Sequence, residues 1–366
     1  GGRCNLTNNR TEVRTMLAKY EGNDKFLFSA FSQFSVEDTL TFFNQRGMAT
    51  KVEAEGRVFP DSNKAQSVLD VLVGYMKDGG VEIRTGSAVT GVTREVDSQH
   101  ITIKLNAGRE LRARSCILAT GGSSRPETGS NGEGFLWLKA LGHTIVDNNF
   151  ALVPVALTDA WAKKLGGVTL QDIKLTTFQN NEKQEVHTGK LLFTHFGISG
   201  PTVLNMSKEI GELLKYGDVV VALDLFPKLD HGALKGELQK LLVADSNKKL
   251  KNTLRILMPS ALVPALLELS EVNGDTPNHS VRSEDRRTIV ALMKALPLHV
   301  KNLLGADKAV VSSGGLALEE VHFKTMQSRL VPNLYLIGDV LNIDRPSGGY
   351  SLQLCWTTGF VAGSNC

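Results

Sequence analysis

The stretch Asn333–Gly363, NLYLIGDVLNIDRPSGGYSLQLCWTTGFVAG, decides how the rest of the chain is read. Leu334 to Ile337 is a short apolar run without a breaker, the pattern of a buried parallel strand. Gly338-Asp339 follows at the carboxyl end of that strand, where open α/β sheets bind ligands. After a polar loop, Pro346-Ser347-Gly348-Gly349-Tyr350 leads into a helix predicted from about Ser351. Small residues in that helix, Gly359, Ala362 and Gly363, allow it to press closely on a neighbour. Strand, Gly-Asp, Gly-Gly and helix in that order suit a dinucleotide with a long polyol linker. Asp339 can accept from hydroxyls, and the glycines let backbone N–H groups approach a flat ring. The helix start adds free N–H donors and a partial positive charge. A strand, turn and helix without a ligand is the plainer alternative.

A flavin fits this chemistry, because its reduced ring gathers negative charge at the N1–C2=O edge, which a helix N-terminus stabilises. Three further pieces stand in the chain: Gly1-Gly2-Arg3-Cys4-Asn5-Leu6-Thr7-Asn8, Ala119-Thr120-Gly121-Gly122, and Phe193-Thr194-His195-Phe196-Gly197-Ile198-Ser199-Gly200-Pro201. With the opening stretch, their order and rough spacing resemble the BaiN/YhiN-like family of FAD-dependent oxidoreductases, the aminoacetone oxidase-like flavoproteins. The resemblance covers essentially the whole chain. Its first and last pieces are specific, whereas ATGG is shared by many flavoproteins. It implies a glutathione-reductase-like α/β fold with FAD as cofactor. Carried over residue by residue, it implies cofactor contacts from Arg3, Cys4, Asn5 and Thr7, and from Ala119, Thr120, Gly121 and Gly122. It implies more from Gly338, Asp339, Gly348, Gly349, Tyr350, Ser351, Leu352 and Gln353, with Val89 near the adenine. Arg3 can pair with phosphate and Asn5 can read a flavin edge. Cys4 reads as a small buried thiol rather than a nucleophile, since no base adjoins it.

A chain of 366 residues is long enough for two or three domains, and 42% hydrophobic residues is ordinary for a globular protein. The longest apolar run, Ala261 to Leu267, is too short to span a bilayer. A net charge of +3, from 41 basic and 38 acidic residues, does not point to nucleic acid. Cys4, Cys116, Cys355 and Cys366 form no C-x-x-C pair, so neither a zinc site nor a redox pair is expected. Few scattered cysteines and no signal peptide suit a reducing cytoplasm. No G-x-G-x-x-G is present; Gly129-Ser130-Asn131-Gly132-Glu133-Gly134 has the wrong spacing. A dinucleotide-binding half begins with a βαβ unit of roughly 30 residues bearing that fingerprint. The sequence is therefore read as lacking that first unit, and on that reading holds FAD weakly at best and need not be active.

Along the chain, helices are predicted over Asp24–Phe34 and Val36–Arg46, with Ser35 capping the second and Asp38 at its third position. Phe26, Phe28, Phe31, Phe34, Phe42 and Phe43 crowd here, more simply as core than as a pocket lining. Another helix is expected over Ser62–Lys77 with Ser62 as its cap. A strand at Val81–Arg84 precedes a meander of Val89–Glu95, His100–Asn106 and Glu110–Ala119, with turns at Asp97-Ser98 and Ala107-Gly108. A helix follows over Gly132–Leu141, with Gly142 closing it. Beyond Asn148, Leu152–Leu157, Ile173–Phe178, Lys190–Thr194 and Val219–Leu223 suggest an inserted β-barrel or sandwich. From Pro227 to Leu304 helical spacing dominates, with a basic cluster of Lys248, Lys249, Lys251 and Arg255 that reads as a solvated face.

These readings predict an FAD-binding domain from 1–150 and 320–366, an inserted barrel from 151–226 and 305–319, and a helical subdomain at 227–304. The expected function is oxidation or reduction of a small organic substrate by hydride transfer at flavin N5, in a pocket between FAD domain and insertion. NAD(P)H as external donor and oxygen as acceptor both stay open. Arg57, His195 and Tyr350 are the candidates to act on substrate, Arg57 by holding a carboxylate; a surface salt bridge and a structural turn histidine are the alternatives for the first two. No metal, no membrane and no nucleic-acid partner is expected, and the oligomeric state is not legible. A flavin- or nucleic-acid-binding regulator without turnover is the rival reading, and a fumarate-reductase-like flavoenzyme on the same fold is another.

Overall fold

The structure is a computed structural model that describes residues 2–20, 22–95, 100–124, 129–146, 150–304, 311–312 and 314–366. The chain forms two compact units, Gly1–Phe150 with Ala309–Cys366, and Ala151–Lys308.

In the first unit the apolar run of the opening stretch forms the strand Leu334–Leu336, parallel to Cys116–Leu118. Gln327–Ser328 and Val321–His322 extend this sheet antiparallel. All three residues of Leu334–Leu336 are buried, which explains why the run lacks polar alternation. The helix predicted after Gly349 runs from Tyr350 to Gly363 and packs into the same core as the strand. Near the N-terminus Thr7–Asn8 pairs with Arg57–Pro60, which pairs with Thr50–Val52. Helices Asp24–Gln33 and Val36–Asn44 form as expected, and Ser35 with Asp38 makes a reciprocal capping box. Phe31 and Phe43 are fully buried, whereas Phe28 is half exposed, so the phenylalanine cluster is chiefly core.

The meander is Val89–Arg94, Ile101–Leu105 and Glu110–Ala113, turning at Asn106–Gly108. The predicted turn at Asp97-Ser98 lies outside the described residues. The last predicted strand divides: Cys116–Leu118 leaves the meander for the parallel sheet. No strand forms at Val81–Arg84; Val81 and Ile83 are each more than half exposed, and no described strand offers this segment a ladder. The next helix spans Ala65–Asp78 with Lys64 at the cap position, so Ser62 is not its cap; the Ser62 hydroxyl accepts from the Lys64 N–H at 3.3 Å, and Asn63 turns through φ 56°. The helix Glu133–Ala140 is followed by Gly142 at φ 92°, as a glycine closing a helix should be.

The second unit contains a closed six-stranded barrel. Its strand order is Val155–Leu157, Gly197–Ser199, Glu182–Thr194, Thr169–Gln179, Val219–Asp224 and Leu296–Leu303, every pairing antiparallel. Four of these strands were anticipated and two were not. Leu296–Leu303 lies in the stretch expected to be helical; Leu296, Leu298 and Val300 alternate into the core, a period of two hidden behind the helix before it. Helices His231–Ala244, Leu250–Leu257, Leu262–Ser270 and Ser283–Lys294 share one hydrophobic core with the barrel. Of the 305–319 segment, Gly315–Leu316 pairs with Ile145–Val146 of the first unit's chain segment, and residues 305–310 and 313 lie outside the described set. In the basic cluster, Lys249 and Lys251 both bind Asp275 at 2.8 Å, and the hydrogen bond from Lys249 leads in holding that carboxyl down at about 2. Among the described residues no helix is long and apolar enough to cross a membrane.

Lys294 closes the helical segment onto the barrel. Its ammonium lies 2.8 Å from buried Asp224 and donates to the carbonyls of Phe226 and Leu229 at 2.7 and 2.5 Å. Lys294→Met removes the donor for both carbonyls while Lys174 still faces Asp224 at 3.2 Å. The expected loss is about 3 kcal/mol in urea denaturation, as for breaking a buried pair; a change below about 0.5 kcal/mol would contradict this role.

Candidate cofactor site

The N-terminal loop crosses the start of the terminal helix at Gly349. A Cβ there would lie 2.3 Å from both the carbonyl carbon and the oxygen of Thr7, and Gly349 has φ 102°. Glycine is required on both counts. Around the crossing, the Asn5 amide, oriented to suit its neighbours, accepts from the Gly349 N–H at 2.9 Å and donates to the carbonyls of Val58 and Thr7 at 3.1 Å. Asn8 donates to the carbonyls of Gly348 at 3.1 Å and Glu55 at 3.0 Å. Thr7 donates to the Gln353 amide oxygen at 2.6 Å. The Gln353 amide nitrogen faces Ser35 O, Thr39 Oγ1 and Thr357 Oγ1 at 3.2, 2.9 and 3.1 Å. Gln353 is fully buried, so its side chain holds the site together rather than facing a ligand.

Ala119–Gly122 and Gly338–Asp339 are joined through the parallel strands that precede them. Leu118 and Leu336 are register partners, and the Ile337 N–H donates to Leu118 O at 3.4 Å. Ala119–Gly122 and Gly338–Asp339 therefore leave the sheet side by side, at its carboxyl edge. Gly121 and Gly338 take φ 73° and 59°. The Thr120 hydroxyl is buried without a hydrogen-bond partner among the described residues, packed where a Cβ on Gly134 would meet it at 2.1 Å. The Gly338 N–H donates to Thr358 Oγ1 at 3.0 Å. Asp339 is paired with Arg345, whose guanidinium also donates to Ile343 O at 2.7 Å and Ser351 Oγ at 3.1 Å. Burial, helped by Asp339, pushes the neighbouring Cys355 thiol up to about 12. Tyr350 is buried; its hydroxyl accepts from Arg10 Nε at 3.1 Å, and its carbonyl accepts from the Tyr20 hydroxyl at 2.8 Å. Leu352 is half-buried beside them.

The remaining candidates are engaged elsewhere. Arg3 is exposed, pairs with Glu53, donates to Asn63 Oδ1 at 3.1 Å and lies 4.2 Å over the Phe59 ring. Cys4 has φ 59°, and burial raises its thiol pKa, which suits the unreactive reading. Val89 sits in the meander opposite Leu105. Arg57 stands opposite Asn8 in the strand pair, donates to Ala54 O at 3.2 Å and lies 3.6 Å from Glu55. His195, in the second unit, is exposed in the turn after Glu182–Thr194, its ring edge-on to Phe196 at 4.9 Å. Among the described residues no cluster of His, Cys, Asp and Glu could hold a metal. The sequence reading missed Asn8, Arg10, Tyr20, Thr39, Arg345 and Thr358. A polar Thr357-Thr358 pair inside an apolar helix, and an arginine between Ile343 and Pro346, were the available signals.

FAD suits these residues on three observations. The Thr120 hydroxyl lacks a partner, the Asp339 side chain is a quarter exposed, and bare glycine backbone stands at both strand ends and at the helix start. A parallel strand pair, a glycine turn at its carboxyl edge and a helix starting under a crossing loop define a Rossmann-type dinucleotide-binding protein. The family model described as the HI0933-like protein Rossmann domain matches residues 1–365, and the chain belongs to that FAD-dependent family. It is 30% identical to the 3-dehydro-bile acid delta(4,6)-reductase of Clostridium scindens, over 99% of this chain and 87% of that protein. It is equally 30% identical to the ribosomal RNA dihydrouridine synthase of Escherichia coli, over 99% of this chain and 86% of that one. The Haemophilus influenzae protein of the same name is 26% identical over 99% of this chain.

Gln353→Leu would leave the hydroxyls of Thr7, Thr39 and Thr357 without their shared partner. The expected cost is about 2–4 kcal/mol in chemical denaturation followed by tryptophan fluorescence. A loss under about 0.5 kcal/mol would mean that the crossing does not depend on this amide.

Proposed function

We propose that the protein is an FAD-dependent oxidoreductase that reduces a carbon–carbon double bond conjugated to a carbonyl in a small organic substrate. The observation that carries the reading is the meeting of the Arg3–Asn8 loop, the Ala119–Gly122 turn and the Gly338–Gln353 segment in one unit. The names of the relatives support the reaction class. A delta(4,6)-reductase and a dihydrouridine synthase both add two hydrogens across a double bond next to a carbonyl. Bound FAD supplies the hydride from its N5, with NAD(P)H the proposed source of electrons.

The chain's own residues bind and orient. Asp339 accepts from ribityl hydroxyls, and Thr120 gives its unpartnered hydroxyl to the cofactor. The bare backbone of Gly121 and Gly122 admits the ring system, and the first-turn N–H groups of the terminal helix favour the reduced, negatively charged edge. Tyr350 is the proposed proton donor: its oxygen accepts from Arg10, so its own O–H is free to be given away. Arg57, beside Asn8, is proposed to hold a substrate carboxylate, and no step is assigned to His195. No membrane partner is proposed.

A second reading takes a uracil base within ribosomal RNA as the substrate, on the strength of two relatives so named. The full-length protein should show flavin absorbance bands as purified or after adding FAD. Reduced anaerobically, it should be reoxidised by a conjugated enone. Reoxidation only by unmodified ribosomal RNA would select the second reading, and absence of flavin bands would overturn both.

A further inference from the structure

Arg345 is a charged side chain with 1% of its surface exposed, at the edge where the cofactor is proposed to bind. A guanidinium so deep is retained only with a compensating anion and with its donors satisfied. Asp339 supplies the anion through Oδ1. Ile343 O at 2.7 Å and Ser351 Oγ at 3.1 Å take further donors. These partners belong to three parts of the motif: Asp339 to the strand end, Ile343 to the loop, and Ser351 to the first turn of the terminal helix. One rigid fork thus fixes their mutual positions, which a flexible ammonium would not do. Two of the nearby titratable groups, Cys355 and Tyr20, carry no negative charge. Burial pushes the Cys355 thiol up to about 12 and the Tyr20 phenol well above its usual range. The Arg345 charge is therefore answered by Asp339, whose side chain is 24% exposed while Arg345 is sealed.

We infer that Arg345 is a positioning residue for cofactor binding, holding one carboxylate oxygen of Asp339 so that the other is presented to a hydroxyl of the ligand. The inference rests on the FAD reading above. Arg345 acts through Asp339 and does not itself touch the cofactor.

The test is a double-mutant cycle on the full-length protein, read as FAD dissociation constants by flavin fluorescence, with the melting temperature of each apo form alongside. Arg345→Met should weaken FAD binding by about tenfold or more. Arg345→Lys should recover only part of the loss, because an ammonium cannot span the three acceptors. Asp339→Asn should weaken binding too, and adding Arg345→Met to it should cost no more than about twofold further. A merely structural role would instead multiply the two losses, whatever the apo melting temperatures. Losses that multiply, or Arg345→Met binding within about twofold of wild type, would overturn the inference while leaving the FAD reading intact. Wild type that fails to bind FAD would end both. Should Arg345→Met not fold, the cycle is closed with Arg345→Lys, whose loss must likewise vanish in the Asp339→Asn background.

Discussion

The first unit depends on two backbones passing closer than a side chain would permit. The carbonyl of Thr7 occupies the place where Gly349 would carry a Cβ. Because of this contact, Asn5, Thr7 and Asn8 reach the helix start and the glycines before it. The crossing also spends the Gly349 N–H on Asn5, leaving the N–H groups of the helix's first turn as the donors available there. Any larger residue would have to lift the loop, and the contacts of all three side chains would go with it.

The site is assembled from segments far apart in sequence, so it depends on register. Pairing Leu118 with Leu336 brings Ala119–Gly122 and Gly338–Asp339 out of the sheet together. A slip of one residue would exchange buried Leu118 with exposed Ile117, so the burial of Leu118 holds the alignment of a polar edge. The intervening segment is tolerated because it brings its own core. The large cluster of the barrel and helices shares no residue with the cluster behind the parallel strands. Lengthening a connection costs little in closure entropy when what is inserted is stable by itself.

Elements announced by local chemistry were legible in the sequence. The apolar run at Leu334, the Ser35–Asp38 capping box and the meander with its Ala107-Gly108 turn each carry their signal within a few residues. Elements defined by distant partners were not. Val81–Arg84 has the composition of a strand yet forms none, because a strand is a relation between segments and no described segment pairs with it. Leu296–Leu303 is a strand because Val219–Asp224 and Val155–Leu157 flank it, a fact absent from its own residues. The candidate site divides in the same way. Its glycines and Asp339 stand out as a motif, whereas Arg10, Tyr20 and Thr39 matter only through the terminal-helix groups they bond, the Tyr350 hydroxyl, the Tyr350 carbonyl and the Gln353 amide.

Polar residues of one motif thus do two kinds of work. Gln353, fully buried and fully bonded, joins the terminal helix to the Val36–Asn44 helix and to Thr7; Asp339, bonded on one side and partly open, is left with capacity for a ligand. Burial decides which is which, since a buried polar group must find protein partners and an edge group need not. The same principle limits the chemistry the chain can offer. Burial raises the thiols of Cys4 and Cys355 away from the thiolate form, so neither is a ready nucleophile at neutral pH. The Tyr350 phenol is buried and its oxygen accepts from Arg10 Nε at 3.1 Å. An edge built this way has open capacity only where burial has left it, at the glycine backbone and the outer side of Asp339.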